Sequence, residues 1–322
     1  MSILRRLFLA CCLLCPATIA HAQTDPAATW PDRPVRILVN FAPGGGTDNA
    51  VRPYTEPLLR ALGQTFVLEH KGGAAGAIGL EAGIKMQPNG YNFIATPSPS
   101  VVAVPHLRKV GYDPLKDMVP VAAFSWYPMM LSIHPSVPVA NLKEMVAYAK
   151  ANPGKLTMAS SGIGSTGHLM TEALNSSAGI SLLHVPYRGS AEALQDTLAG
   201  VVSMFADPTV AVHVRAGKLR LLAVTGSRHP EYPDAPTFAE TYPDANFVPW
   251  NALFAPVGTP EPIIRKLAAA IRTIAATPEM AVTLPKVGQF PLTDTPEELG
   301  ARLKKDYDQF GKLIRERNIK AE

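Results

Sequence analysis

The sequence predicts an α/β protein of two lobes, each a mostly parallel sheet flanked by helices. Three observations carry this expectation. Short apolar strand patterns alternate with amphipathic helical ones along most of the chain. Strand ends run repeatedly into glycine- or hydroxyl-rich corners that open helices, first and most clearly at Val39-Asn40-Phe41-Ala42-Pro43-Gly44-Gly45-Gly46-Thr47-Asp48. The two halves share this pattern without an exact repeat, so two units with their strand ends facing each other would enclose a cleft, where ligands of open α/β sheets bind.

The elements follow in order. Residues 1–22 have the form of a secretory signal: Arg5 and Arg6, the apolar run Leu7 to Leu14, and a small-residue cleavage site at Ala20-His21-Ala22. The apolar run is too short to span a bilayer, which needs about 20 residues. Cleavage after Ala22 would leave a periplasmic product starting at Gln23. In the first lobe (23–126 plus 247–322) the pattern predicts strands over Val35–Phe41, Thr65–Glu69, Tyr91–Thr96 and Val121–Trp126. Between them lie helices over Thr47–Leu62, with Pro53 and Pro57 in its middle, and Leu80–Met86, opened by a second glycine corner at Gly72–Gly79. Pro97-Ser98-Pro99-Ser100 reads as a polar loop. In the second lobe (127–246) strands are expected over Met129–His134, Leu156–Ala159, Ser181–Val185, Val202–Ala206 and Leu219–Thr225. Helices are expected over Leu142–Ala151, Leu169–Ala178 and Ala191–Ala199. Asn246–Phe254 returns to the first lobe, and Pro260–Ala275 and Pro296–Glu316 are helical.

Composition narrows the function. The chain has 322 residues, enough for two domains, and a formal charge of +4. Removing Arg5 and Arg6 leaves 28 basic against 26 acidic residues (30 − 2 and 26), so nothing points to nucleic acid or a polybasic membrane surface. All three cysteines lie in the signal, so the mature chain has no thiol nucleophile, disulfide or Cys-ligated metal. The histidines show no metal-ligand spacing, and neither metal nor cofactor is expected.

The glycine corners point to anion binding, because a helix N-terminus offers unpaired amides and the positive end of its dipole. Gly162-Ile163-Gly164-Ser165-Thr166-Gly167 also matches a dinucleotide fingerprint, but no acid ends the next strand to hold a ribose. Ser160 or Ser161 with His168 or His184 leaves a secreted serine hydrolase open, although no nucleophile-elbow motif surrounds either serine. His168 at a helix start and His184 in a strand also suit structural roles. Asp48 reads as a helix cap or first-turn acid, as a group orienting loop amides, or as a ligand contact; Asp207, before Pro208, carries the same ambiguity. Arg188 reads as a surface residue.

Several phrases occur together in a recognisable order. They are Trp30-Pro31-Asp32-Arg33-Pro34-Val35-Arg36 leading to Phe41–Asp48, Gly73-Ala74-Ala75-Gly76, Pro88-Asn89-Gly90-Tyr91, Ala159-Ser160-Ser161-Gly162 with His168-Leu169, His184–Ser190, Asp234-Ala235-Pro236-Thr237 and Ala255–Pro260. From about Trp30 to Lys320 the chain resembles the Bug/TctC family, the extracytoplasmic solute receptors of tripartite tricarboxylate transporters. The resemblance implies a two-lobed Venus-flytrap binding protein that closes on a small organic acid, performs no chemistry and serves membrane permease subunits. A monomer is the expected state. Carried over by position, the ligand contacts would be Ala42, Pro43, Gly44, Gly46, Thr47 and Asp48 in the first lobe, with Thr96 and Ser98 on the third strand's loop. The second lobe would supply Ser161, Gly162, Thr166 and His168, and Asp207 would meet the distal end of the ligand. Two positions depart from the family's pattern: His70 and Lys71 stand where an asparagine is usual, and Asn89 replaces an aspartate. A ligand sensor docking on a signalling protein would present the same cleft.

Overall fold

Val35–Val39 forms β1, a strand of alternating and then continuous apolar residues that ends buried, one strand in from the edge of the first sheet. The computed structural model describes residues 26–229, 231–316 and 319–320; the expected signal at 1–22 lies outside them. Parallel to β1 on either side run β2 (Phe66–His70) and β3 (Asn92–Pro97). The sheet is completed by β4 (Met118–Trp126), β10 (Trp250–Pro256) and β11 (Phe290–Pro291), in the order β11-β4-β10-β3-β1-β2. The second sheet holds β5 (Met130–Ile133), β6 (Thr157–Ser160), β7 (Leu183–Pro186), β8 (Met204–Ala206) and β9 (Arg220–Val224), in the order β7-β6-β8-β5-β9.

Both sheets are mixed, which narrows the expectation of mostly parallel ones. The parallel sets are β2-β1-β3 and β7-β6-β8. Strands arriving from the other lobe run against them: β10 is antiparallel to β3 and β4, and β5 is antiparallel to β8 and β9. The reason is geometric. A strand that enters from the crossover starts where the parallel strands end, so it must run the opposite way. The two crossovers are stitched at Trp126↔Trp250 and Met130↔Val224.

The helices pack where their apolar faces direct them. Helix α1 (Gly46–Leu62) runs through Pro53 and Pro57 without interruption. An interior proline costs about 3 kcal/mol; here burial of Val51, Tyr54 and Leu58, with the Tyr54 hydroxyl donating to the Phe124 carbonyl at 2.6 Å, offsets it. Gly63, in the left-handed conformation, ends the helix by donating to the Leu59 carbonyl. Helix α2 (Ala77–Gly83) starts earlier than its pattern suggested and lies against β1. A Cβ at Gly79 would sit 2.3 Å from the Lys71 carbonyl oxygen and 2.7 Å from the Asn40 Cα, so only glycine permits this approach. Pro97–Ser100 is not an exposed loop: Ser98–Val102 forms the short helix α3, followed by α4 (Val104–Leu107). Pro99 sits in the first turn of α3, where its missing N–H costs nothing, and its neighbours are buried. The second lobe carries α5 (Leu142–Ala151), α6 (Thr166–Ala178) and α7 (Ser190–Leu198). One apolar core joins residues of both lobes through Val101, Leu131, Leu169, Trp250 and Leu303. Each sheet has a further core on its other face.

Candidate ligand-binding cleft

The parallel strands of both sheets end at the space between the lobes, and a cavity of about 430 Å³ lies there. Its first wall begins one residue past β1. Asn40 is fully buried and its Nδ2 donates to Thr96 Oγ1 at 2.9 Å and to the Gly76 carbonyl at 3.2 Å. That residue ties the ends of β1 and β3 to the second glycine corner. Beyond it, Gly44 adopts φ +75°, and its amide turns inward to donate to Asp48 Oδ2 at 2.9 Å. The Gly45 amide reaches the Ala42 carbonyl at 3.3 Å. Gly45 is the N-cap of α1 and has no side chain to cap with. The amides of Gly46, Thr47 and Asp48 therefore have no acceptor among the described residues.

Asp48 holds this corner from behind. It is 2 % exposed. It accepts from Gly44, from the Arg52 guanidinium at 2.7–3.1 Å, and faces His70 Nε2 at 2.8 Å. Burial pushes its carboxyl up, but these donors and the Arg52 charge outweigh burial and hold it below its ordinary value.

The opposite wall grows from β6. Gly162 (φ +127°) donates to Ser160 Oγ at 3.2 Å, and Gly164 (φ +86°) donates to His168 Nδ1 at 3.1 Å. The second bond requires a lone pair on Nδ1 and so places the imidazole proton on Nε2. His168 stacks on His184 with ring centroids 4.3 Å apart, and His184 Nε2 lies 2.6 Å from Ser160 Oγ. Burial holds both imidazoles down to about 4, with the His168 charge adding to the effect at His184. Ser165 caps α6 by accepting from the His168 amide at 3.4 Å, which leaves the Thr166 and Gly167 amides uncapped. A third wall comes from β8. Asp207 is buried, accepting from Thr209 N at 2.9 Å, Thr209 Oγ1 at 2.7 Å and Ser190 Oγ at 2.7 Å. Burial raises its carboxyl in spite of these donors.

Of the residues singled out from the sequence, the structure brings Ala42, Pro43, Gly44, Gly46 and Thr47 to the cavity from the first lobe, and Ser161, Thr166 and Asp207 from the second. Five others do not line it. Asp48 and His168 sit behind the two corners. Thr96 is fully buried on Asn40, and Ser98 Oγ accepts from the Trp250 amide at 3.2 Å. Gly162 lines an adjoining cavity. Reading the residues in order missed the apolar wall formed by Pro99, Tyr127, Met129 and Leu194, and missed Ser190. Tyr127 and Met129 belong to the first crossover, so a cleft-facing role was in principle readable from their place between β4 and β5. Arg188 is exposed, as expected, yet it also lines the cavity.

Comparison with known proteins places this architecture. The chain is 33 % identical over 310 residues to Protein BugT of Bordetella pertussis, covering 94 % of this chain and 95 % of that one. The solved structure of R. palustris Rpa4515 with adipate superposes with a TM-score of 0.85 at 32 % identity, over 90 % of this chain and 98 % of that one. The periplasmic binding protein BugD superposes with a TM-score of 0.84 at 33 % identity, over 91 % of this chain and 100 % of that one. These relatives confirm the two-lobed periplasmic binding protein fold. With the profile of the tripartite tricarboxylate transporter family receptor, TctC, matching residues 50–319, the chain belongs to that receptor family.

Proposed function

We propose that this chain is exported, is cleaved after Ala22, and works in the periplasm as a receptor that captures a small organic acid and delivers it to the membrane permease subunits of a tripartite transporter. The observation that carries the reading is the convergence of two uncapped helix N-termini, α1 and α6, on one cavity from opposite lobes. Free amides at Gly46, Thr47, Thr166 and Gly167 favour a carboxylate by hydrogen bonding and by dipole. They are fixed by the backbone, so little ordering entropy is lost on binding. Ala42, Pro43, Gly44 and Ser161 shape the seat, and Asp207 bounds it from the second lobe. Asp48, His168, Thr96, Ser98 and Gly162 act through the geometry of the corners. The adipate in the Rpa4515 structure supports the ligand class.

The test is a thermal-shift screen of the mature protein against carboxylic acids and their neutral amides. A tight acid is expected to raise stability by about 2.7 kcal/mol at a hundredfold excess over its dissociation constant. A shift by amides and not by acids would overturn the reading.

The 2.6 Å contact between Ser160 and His184 favours one other reading, a serine hydrolase. Against it, Ser160 is fully buried, and no carboxylate among the described residues orients His184. An imidazole held to about 4 is also a weak base at neutral pH. A fluorophosphonate probe is therefore expected to leave the protein unlabelled; stoichiometric labelling at Ser160 would establish the hydrolase instead.

A further inference from the structure

Beside the inner cavity lies a second one of about 780 Å³, which shares Phe41, Ala42, Ala75, Ser161 and Arg188 with it. Two arginines line this outer space. Arg108 follows α4 in the first lobe, and Arg188 precedes α7 in the second. Neither makes an ion pair or a side-chain hydrogen bond among the described residues, although most other arginines of the protein do. One acid, Glu192, lines the same space; it is exposed, stands in the first turn of α7, and is not paired with Arg188. The outer cavity thus carries an excess positive charge, contributed from both sides of the cleft. Its floor is the second glycine corner, where Ala74 and Ala75 hold φ of +50° and +54°. Residues with a Cβ adopt that conformation at a cost, and such strain clusters at ligand clamps.

The inner cavity carries no such excess. Its one acid is the buried Asp207, and its one cation is Arg188, where the two spaces meet. A ligand with a second carboxylate would meet like charge at Asp207 and opposite charge at the arginines. We propose that Arg108 and Arg188 form a second anion site, one arginine from each lobe, which receives the outer carboxylate of a diacid whose inner carboxylate rests on the α1 and α6 amides. Guanidinium groups suit the task because they bind carboxylates through two parallel hydrogen bonds. A carboxylate held between the lobes would also relieve the repulsion of two cations brought together by closure, and so couple binding to the closed form. This proposal rests on the carboxylate reading above.

Calorimetry on the mature protein tests it, with the straight-chain diacids succinate to pimelate set beside the monoacids butyrate to heptanoate. The best diacid is expected to bind at least about tenfold more tightly than the monoacid of its length. Arg108→Gln, which lines the outer space alone, is expected to weaken that diacid about tenfold and to leave the monoacid within about twofold, and Arg188→Gln is expected to weaken the diacid at least as much. Both side chains lie at the cleft surface, and circular dichroism melts of the variants would verify that folding is unaffected. Acids that bind with no preference for the diacid, or a preference that survives both substitutions, would overturn the second site alone. If no acid of either series binds, the carboxylate reading fails and the second site with it.

Discussion

Lowering the pH from 7 to 4 is expected to cost about 3 kcal/mol of unfolding free energy at His168 alone. The sign follows from where the proton goes. In the unfolded chain the imidazole titrates near its ordinary value of about 6.5. In the fold, burial holds it to about 4. Between these values the unfolded state takes up a proton that the folded state refuses, so stability falls as pH falls through this window. It levels off below about 4, where the folded state accepts the proton as well. His184 adds to the effect, but less, because its site is more open to solvent. The stacking at 4.3 Å makes the second proton harder to place than the first. Function should follow stability. The proton on His168 would occupy the Nδ1 lone pair that now accepts from Gly164, setting N–H against N–H and loosening the Gly162–Ser165 turn beside the cavity. Urea unfolding at several pH values would measure the slope. His168→Gln should make it shallower between pH 6.5 and 4, leaving the part due to His184, and an unchanged slope would remove the His168 imidazole as a cause.

What was legible in the sequence was the backbone pattern. The strand–corner–helix units at Val35–Leu62 and Thr157–Ala178 were readable because apolar periodicity and glycines mark them locally. The antiparallel entry of β5 and β10 was not, since it depends on which lobe a strand arrives from rather than on the strand's own residues. Pro97–Ser100 carried the composition of a loop, and only tertiary burial shows why it is helical. In the cleft, the glycine corners that line the cavity were legible because glycines between a strand and a helix mark such turns. The apolar wall was missed because Tyr127, Met129 and Leu194 look like any core residue until the lobes are placed face to face. Asp48 was left between three roles, and the geometry distinguishes them: Gly45 occupies the cap position, and the carboxylate points to the Gly44 amide, Arg52 and His70 rather than into the cavity.

That placement makes Asp48→Ala the most informative single substitution in the first wall. It removes a buried charged acceptor and leaves the Gly44 amide and His70 Nε2 without their partner, so a loss of about 2–3 kcal/mol is expected. Carboxylate binding should weaken by about tenfold or more, because Gly44 is then free to relax and the neighbouring amides lose their aim. Arg52→Ala is the matched control. It deletes a partner of the same carboxylate, but one whose side chain is 57 % exposed, and it should cost less than about 1 kcal/mol. Equal effects from the two would mean that the ion pair, and not the grip on the loop, is what Asp48 contributes. The pH dependence separates this residue from the histidines. Its folded carboxyl lies below the ordinary value of 3.8, so its contribution is complete above that value and is lost only as pH falls further, through the folded value. The histidine loss is then nearly finished at the pH where the Asp48 loss begins. A wild-type stability curve should therefore fall in two stages, with the lower one missing from Asp48→Ala and the upper one reduced to the His184 share in His168→Gln.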